Sequence, residues 1–273
     1  MEIAPGVEIG GEGFPVIAGP CAVESEELVL EVARAVQAIA ERLDLSPIFK
    51  SSFDKANRSS ADSFRGLGME AALEILATAK QATGLPVLTD VHEPHQCERA
   101  AEVADVLQIP AFLCRQSDLI REAARTGRAI NLKKGQFMAP DQMPRAVEKV
   151  RREGNERVFV TERGYCFGYH NLVVDMRSFA MLQAEGIPVV FDATHSLQLP
   201  GGGATTGGAR EFAEPLARAA VAAGADGVFL EVHPRPAEAL SDAATQLPPA
   251  RAEKLLRSLL AIRRALSTGE GGG

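Results

Sequence analysis

Seven basic residues in this sequence each follow a short apolar run, at the place where a buried strand would end. Lysine and arginine side chains that converge repel one another unless an anion neutralises them, and both bind phosphate and carboxylate groups. Any one of them could instead pair with an acid at a strand end, such as Asp90 or Asp192. Taken together they predict a ligand with more than one phosphate or carboxylate group. The seven are Lys50, Lys55, Arg58, Arg115, Lys133, Lys134 and Arg163.

A second group of side chains has the chemistry of a metal site. A thiolate, an imidazole and carboxylates are the ligands that zinc and other divalent transition metals take in proteins. Spacing alone does not establish such a site, because a lone cysteine or histidine at a strand end is more often a buried structural residue. His92 and His233 also compete as ligands. The four candidates are Cys21, His195, Glu231 and Asp242.

The elements that must position these residues alternate along the chain. Short apolar runs typical of strands buried on both faces are separated by segments with helical spacing of apolar residues. After the first run, Ser25 offers an N-cap to a helix whose apolar residues recur as far as Leu43. Eight such units predict parallel strands that close into a single (β/α)8 TIM barrel. The predicted strands cover 14–20, 47–53, 86–91, 106–110, 129–135, 157–164, 188–195 and 227–234.

The predicted barrel brings the candidate residues to one rim, because the C-terminal ends of its strands meet there. Strands seven, eight and one are neighbours after closure, so the four metal candidates can surround one ion. We expect a catalytic barrel over 14–267, an N-terminal extension or cap over 1–13 and a flexible tail over 268–273. The glycine-rich segment 200–208 lacks the lysine of a P-loop, and is either a mobile loop over the mouth or a plain connection.

Composition and charge argue against several classes of protein. The 273-residue chain is 46% hydrophobic and 24% charged with a net charge of −7, which disfavours nucleic-acid and anionic-membrane partners. No apolar run approaches the roughly 20 residues that cross a bilayer. The acidic N-terminus does not resemble a signal peptide, and the cysteines lack CxxC spacing. We therefore expect a cytoplasmic protein with reduced thiols, in which Cys97, Cys114 and Cys166 are structural.

Several strand-end motifs resemble those of the 3-deoxy-D-manno-octulosonate 8-phosphate synthases, and the similarity runs from about Phe14 to Leu266. The motif KANRSS is the most informative, because the sister synthases that make a seven-carbon sugar acid carry a KPRTS-type motif there. The matching segments are FKSSFDKANRSS (49–60), IPAFLCRQSDL (109–119), NLKKGQF (131–137), FGYHNLVVDMRS (167–178), FDATHSLQLPGG (191–202) and SDAATQLP (241–248).

The resemblance implies a reaction, a cofactor and an assembly. Phosphoenolpyruvate, D-arabinose 5-phosphate and water would give the eight-carbon keto-sugar acid phosphate and inorganic phosphate, for lipopolysaccharide biosynthesis, in a homotetramer. Cys21 stands where the metal-independent members carry asparagine. The resemblance therefore implies the metal-dependent class, with a divalent ion such as zinc, iron or manganese bound by Cys21, His195, Glu231 and Asp242.

The resemblance also implies roles for individual residues. Lys55, Lys133 and Arg163 would hold the phosphate and carboxylate of phosphoenolpyruvate, and Arg115 would reach the pentose phosphate across a subunit interface. The full set expected to bind substrate is Lys50, Lys55, Asn57, Arg58, Ser59, Asp90, Gln108, Arg115, Lys133 and Arg163. The expected catalytic residues are His195, Asp242, Lys133 and Asn57.

Three other functions stay open from the sequence. The seven-carbon synthase would prefer erythrose 4-phosphate as its aldose. A Schiff-base aldolase would use Lys133 or Lys134 as a neutral amine nucleophile. A non-catalytic barrel would bind the sugar phosphate without turnover. The role of the metal is open as well, since it can polarise the aldehyde or lower the pKa of a bound water.

Overall fold

Eight parallel strands close into a barrel in the computed structural model, which describes residues 1–56, 64–166, 171–199 and 207–269. Each strand pairs with the next along the chain, and the last pairs with the first. The predicted (β/α)8 TIM barrel is therefore confirmed. Every strand is shorter than predicted, because the predicted ranges include residues of the adjoining loops. The strands are β1 Val16–Gly19, β2 Pro47–Lys50, β3 Val87–Asp90, β4 Val106–Ile109, β5 Ala129–Lys133, β6 Val158–Glu162, β7 Val189–Asp192 and β8 Gly227–Glu231.

The helices lie outside the barrel and pack against the outward side chains of the strands. The first begins as predicted, since the Ser25 side chain accepts a hydrogen bond from the backbone nitrogen of Leu28 at 3.2 Å. The α-helices of the described ranges are α1 Glu26–Leu43, α2 Met69–Thr83, α3 Gln96–Ala101, α4 Ser117–Arg125, α5 Met143–Arg151, α6 Arg177–Gln183, α7 Ala213–Ala222 and α8 Pro249–Gly269. Short 3-10 turns occupy Ala111–Leu113, Pro140–Gln142, His195–Leu197, Arg210–Phe212 and Pro236–Glu238.

The barrel interior changes from apolar to polar along its axis. Residues two apart on a strand share a face, so each strand contributes successive layers to the interior. The lower layer, nearer the N-terminal ends of the strands, consists of Ile17, Ile48, Leu88, Val106, Ala129, Phe159, Val190 and Phe229. Two residues further along, the upper layer consists of Gly19, Lys50, Asp90, Gln108, Asn131, Thr161, Asp192 and Glu231.

The upper layer has no side chain on β1, where Gly19 approaches the neighbouring strand closely. A Cβ atom at this position would lie 1.9 Å from the backbone oxygen of Lys50, a distance that no side chain tolerates. Glycine therefore allows β1 and β2 to pair here, and it leaves the next inward position of this segment to Cys21.

A hairpin of Glu2–Ala4 with Val7–Glu8 joins the lower layer. Its Ile3, Val7 and Ile9 are buried against that layer, so the N-terminal end of the barrel is closed by apolar side chains. At the other terminus α8 continues to Gly269, two residues into the segment predicted as a tail, and residues 270–273 lie outside the described part. Among the described helices, none combines the length and apolarity required to cross a membrane.

Two further strand pairs lie in the loops at the mouth of the barrel. Tyr165–Cys166 pairs with Leu172–Val173, and Gln198–Leu199 pairs with Gly207–Gly208. The second pair brackets most of the predicted mobile loop at 200–208, of which residues 200–206 lie outside the described residues.

Candidate active site

Three of the predicted metal ligands meet at the mouth of the barrel. Cys21 follows β1, Glu231 ends the adjacent β8, and Asp242 lies in the loop after β8. One ligand atom from each of the three lies within 4.8 Å of the other two. The Cys21 Sγ is 3.1 Å from Asp242 Oδ2 and 2.9 Å from the hydroxyl of Ser241. The pairing of β8 with β1 thus brings residues far apart in sequence into one cluster.

The fourth predicted ligand, His195, faces the two acids of this cluster. Its Nε2 lies 3.3 Å from Glu231 Oε1 and 3.7 Å from Asp242 Oδ2. Its Nδ1 lies 2.8 Å from Asp192 Oδ2, and Asp192 Oδ1 accepts a hydrogen bond from the His195 backbone nitrogen. Asp192 therefore holds both the ring and the backbone of His195, with Nε2 towards the acids.

The donor set of the cluster fits a divalent transition metal ion. Thiolate, imidazole and carboxylate groups all ligate such ions. Glu231 is fully buried, and its Oε2 has no hydrogen-bond partner among the described residues, as expected for an oxygen reserved for a ligand. Asp242 has a φ of 48°, a conformation that is uncommon outside glycine and often marks functional sites.

The ionisation of the cluster depends on nearby cations. Burial, together with the negative Asp242 and Glu231, raises the pKa of the Cys21 thiol far above its usual value, so a metal would have to displace its proton. For Glu231, burial acts to raise the pKa, but Lys50 and His195 outweigh it and hold the pKa well below the usual range. The buried Lys50 Nζ lies 2.6 Å from Glu231 Oε1 and donates to the Cys21 carbonyl at 2.9 Å.

A second ion pair lies beside the cluster. The Lys133 Nζ is 2.7 Å from Asp192 Oδ2 and 4.1 Å from the centre of the Phe229 ring. Burial lowers the pKa of Lys133, although Asp192 acts in the opposite direction. Burial would raise the pKa of Asp192, but His195 and Lys133 hold it far below its usual range. Lys133 and His195 thus share Asp192 as their negative partner.

Arg163 directly follows β6 and retains an unused donor. One terminal nitrogen, Nη2, donates to the His195 carbonyl at 3.2 Å and to Gln198 Oε1 at 2.6 Å. Gln198 in turn donates to Asp242 Oδ1 at 3.0 Å, which links Arg163 to the metal cluster. The other terminal nitrogen, Nη1, is buried without a partner in the part of the chain that the structure describes. This free N–H group is available to an anion in the barrel mouth.

Gln108 is held by a polar chain inside the barrel. Its Oε1 accepts from Asn131 Nδ2 at 3.1 Å, and the Thr161 hydroxyl donates to Asn131 Oδ1 at 2.7 Å. These contacts fix the amide of Gln108 with its oxygen towards Asn131. The amide nitrogen of Gln108 is then oriented as a donor for another group.

Lys55 and Asp90 complete the described substrate candidates near the metal cluster. The Lys55 Nζ donates to the Ser52 hydroxyl at 2.9 Å. Burial would lower the pKa of Lys55, but Cys21, Glu231 and Asp90 raise it above its usual value. Asp90 Oδ2 lies 3.1 Å from His92 Nε2, while Asp90 Oδ1 has no partner among the described residues. The neighbouring acids thus keep Lys55 protonated, and the Ser52 hydroxyl holds its ammonium in place.

The two competing histidines have partners of their own. His92 pairs with Asp90, as described above. The His233 Nε2 lies 4.0 Å from Glu24 Oε2, and its Nδ1 accepts from the backbone nitrogen of Arg235 at 3.0 Å. None of the three histidines belongs to the group formed by Cys21, Glu231 and Asp242 within the described residues, but His195 lies within 4 Å of both acids of that group, and His92 and His233 pair with other acids.

The prediction that all seven cations converge in the mouth is wrong for Lys134. Because Lys133 faces the interior, the next residue on the strand faces the opposite side. The Lys134 ammonium is fully buried there and donates to the carbonyls of Gly135, Met138 and Gly164 at 3.2 to 3.3 Å. Arg115 is exposed beside a cavity of about 250 Å³ lined by α5 side chains. Arg58, with Asn57 and Ser59, lies outside the described residues.

Three polar residues of the site were not among the predicted site residues. Asp192 holds His195 and Lys133, Gln198 links Arg163 to Asp242, and the Ser241 hydroxyl contacts the Cys21 sulfur. Asp192 was expected only as a possible partner of a strand-end cation, and its contact with His195, three residues later, was not predicted. Gln198 and Ser241 lie in loops, and their contacts depend on how those loops fold.

Comparison with known proteins places the chain in a family. The model of the DAHP synthetase I family matches residues 2–267. A 2-dehydro-3-deoxyphosphooctonate aldolase of a Cyanothece species is 53% identical over 98% of both chains. That of Nitrosococcus oceani is 54% identical over 98% of this chain and 96% of its own, and that of Nitratidesulfovibrio vulgaris is 56% identical over 90% and 91%. The chain therefore belongs to the DAHP synthetase I family, and the relatives it is similar to within that family are 2-dehydro-3-deoxyphosphooctonate aldolases.

Proposed function

We propose that the protein condenses phosphoenolpyruvate with D-arabinose 5-phosphate and water, to give 3-deoxy-D-manno-octulosonate 8-phosphate and inorganic phosphate. This is the reaction of the synthases also called 2-dehydro-3-deoxyphosphooctonate aldolases, and it serves lipopolysaccharide biosynthesis. The observation that carries the proposal is the buried Arg163, with a free donor, next to the cluster of Cys21, Glu231 and Asp242. Such a mouth offers both anion binding and a place for a divalent ion.

Phosphoenolpyruvate is proposed to bind on the cations of the upper barrel. Arg163 Nη1 and the ammonium of Lys133 would contact its phosphate and carboxylate, with Lys55, Lys50 and Gln108 beside them. Lys133 and Arg163 are both buried, which strengthens charge-assisted hydrogen bonds relative to water. Their existing partners fix the two side chains before the substrate arrives.

The pentose phosphate is proposed to bind on the loop after β2 and at Asp90. Asn57, Arg58 and Ser59 would contact its phosphate, and Arg115 would contribute from a second copy of the chain in a homotetramer. The exposure of Arg115 on the outer side of the barrel supports action between subunits rather than within one mouth. Because the reaction consumes phosphorylated metabolites, we place it in the cytoplasm.

We further propose that the enzyme is metal-dependent. Cys21, His195, Glu231 and Asp242 would hold the ion, and the unpartnered Oε2 of Glu231 supports this assignment. When bound, a divalent ion such as zinc, iron or manganese polarises an oxygen ligand or lowers the pKa of a bound water.

The residues of this chain would position both reactants and move protons. C3 of the enol attacks the aldehyde carbon while water adds at C2, so two anions must be held close together and in register. His195, fixed by Asp192, would face the reacting groups, and Asp242 or Glu231 would accept a proton. A Schiff base is disfavoured, because Lys133 is paired with Asp192 at 2.7 Å and Lys134 is enclosed by carbonyls.

Phosphate release with two aldoses tests the proposal. The purified protein is mixed with phosphoenolpyruvate and either arabinose 5-phosphate or erythrose 4-phosphate, and the product mass is measured. We expect release with the pentose, and loss of release after chelation that a divalent ion restores. Preference for erythrose 4-phosphate would indicate the seven-carbon synthase, and no release with either aldose would indicate a binding protein. Unchanged release after complete metal removal would refute the metal site alone.

A further inference from the structure

The buried ammonium of Lys134 connects two loops at the barrel mouth. It donates to Gly135 and Met138 in the loop after β5 and to Gly164 in the loop after β6. It also lies 3.5 Å from Glu162 Oε1 and 3.6 Å from the centre of the Tyr165 ring. A single charge therefore satisfies three carbonyl oxygens from two neighbouring segments.

A cation that is proposed to bind phosphoenolpyruvate lies at the start of each loop. Lys133 is the last residue of β5, and Arg163 is the first residue after β6. Lys133 directly precedes Lys134, and Arg163 lies between Glu162 and Gly164, which both contact Lys134. The backbone nitrogen of Lys134 also donates to the Thr161 carbonyl at 2.9 Å. Lys134 therefore contacts the residues on both sides of Arg163 in sequence, and it is itself the next residue after Lys133.

Stability alone does not account for a charged pair at this place. Lys134 and Glu162 are both fully buried, and Glu162 Oε2 has no partner among the described residues. Burial lowers the pKa of Lys134, which reflects the cost of removing the charge from water. Replacing such a pair by apolar side chains is often neutral or stabilising. The pair is better explained by a geometric requirement of the loops that it joins.

We infer that Lys134 is a positioning residue that fixes Lys133 and Arg163 relative to each other, so that both contact one molecule of phosphoenolpyruvate. The inference rests on the proposed roles of Lys133 and Arg163. Without the ammonium, the carbonyl of Gly164 loses its donor, and Gly164, which has a φ of 88°, has no Cβ atom to restrict its backbone. Arg163 would then move, and a displacement of about 1 Å can cost about a hundredfold in rate.

The test removes both charges of the pair, because Lys134→Met alone would leave Glu162 buried without a cation. In the double variant Lys134→Met with Glu162→Gln, the glutamine retains an acceptor for the Gly164 nitrogen, which lies 2.5 Å from Glu162 Oε1. We expect the KM for phosphoenolpyruvate, and its Kd measured by calorimetry, to rise about 10- to 100-fold. The KM for the pentose and the cooperative thermal unfolding should remain as in the parent.

A control removes another lysine–carboxylate pair, less buried than the first, away from the mouth. Lys80 donates to the Val103 carbonyl at 3.0 Å and pairs with Asp105 at 2.8 Å, near the N-terminal ends of β3 and β4. The double variant Lys80→Met with Asp105→Asn should leave both KM values unchanged. If it raised the KM for phosphoenolpyruvate as much as the first double variant does, the positioning role would be refuted.

A second variant separates this inference from the roles on which it rests. Arg163→Lys must raise the KM for phosphoenolpyruvate; if it does not, the proposed binding site is wrong. If it does, while a folded Lys134→Met, Glu162→Gln variant binds phosphoenolpyruvate like the parent, the inference about Lys134 is overturned. Should that double variant not fold, Lys134→Gln with Glu162→Gln takes its place, because the amide at position 134 still supplies donors and no unpaired charge is left buried. It should show a smaller rise in the same KM, and an unchanged KM would count against the inference.

Discussion

The lower and upper layers of the barrel interior lie only two residues apart on each strand and are both buried, yet one is apolar and the other is polar and charged. The lower layer is apolar and closed by the N-terminal hairpin, so its positions are defined by volume. In the upper layer Glu231 pairs with Lys50, and Asp192 pairs with Lys133, which lies two residues beyond Asn131 on β5. Positions there are defined by neutralisation of charge. The comparison indicates that folding and chemistry are divided along the barrel axis. Apart from Phe229, whose ring contacts Lys133 and His195, substitutions in one layer should then leave the property of the other unchanged.

The largest expected effect comes from the lower layer. Phe159→Ala would open a cavity among fully buried side chains and lower the free energy of unfolding by about 3–5 kcal/mol. Denaturant unfolding measures the loss, and active-site titration gives kcat per folded molecule, which should be unchanged. A fall in kcat per folded molecule would show that the two layers are coupled.

The next effect comes from Lys133, the partner of Asp192 in the upper layer, and should appear in catalysis. Lys133→Met removes a buried cation from the proposed phosphoenolpyruvate site, and should lower kcat/KM for this substrate about 10²- to 10³-fold. Steady-state kinetics measure the loss, with thermal unfolding as a check on folding. The exposed Lys254 on α8 supplies the control, since Lys254→Met should not change kcat/KM. A loss similar in both variants would contradict the assignment.

A pair of aspartates compares the two ends of the barrel directly. Asp192→Asn weakens the support of His195 and should reduce metal affinity about 10- to 100-fold. Asp226 accepts from the Val189 backbone nitrogen at 2.7 Å, at the N-terminal end of the barrel, so Asp226→Asn should change stability and not metal affinity. Competition with a chromophoric chelator measures the affinity. If both variants lost the same metal affinity, the two ends of the barrel would not differ in their effect on the metal site.

The smallest effect concerns acid stability of the metal-free protein. The folded pKa of Glu231 lies below its unfolded value of about 4.5, so the unfolded chain binds more protons once the pH falls below that value. Stability should therefore decline as the pH falls from 4.5 towards the folded pKa. The Glu231→Gln variant has no titratable group at this position. Its free energy of unfolding should therefore depend on pH less steeply than that of the parent, by up to about 1.4 kcal/mol per pH unit. Denaturant unfolding at several pH values provides the measurement, and parallel slopes would count against a depressed pKa.

The fold was predictable because the alternation of buried strands and helices is local in sequence and leaves few topologies. The gathering of Cys21, Glu231 and His195 also follows from strand order, since β7, β8 and β1 are neighbours. Lys134 was misplaced because clustering by sequence ignored the alternation of faces, a rule that separates it from Lys133. The roles proposed for individual side chains stay predictions.

The approach of Asp242 to Cys21 depends on contacts that the end of the loop after β8 makes with residues distant in sequence. Leu247 pairs with Val232, and the Gln246 side chain accepts from the Cys21 backbone nitrogen at 3.3 Å. Together these contacts turn the loop after β8 back over β1. Sequence patterns describe local preferences, so they could suggest Asp242 as a ligand but could not fix its distance from the sulfur.

Gly19 on β1, between β8 and β2, is the one position of the upper layer without a side chain. The absent side chain there lets the Lys50 carbonyl approach β1, while the Lys50 ammonium reaches the Cys21 carbonyl. Building this site into another barrel would therefore require a glycine at the position of Gly19 as well as the four proposed ligands. A designer who copied the ligands and kept an ordinary residue at this point would separate the two strands that hold the thiol and its neighbouring cation.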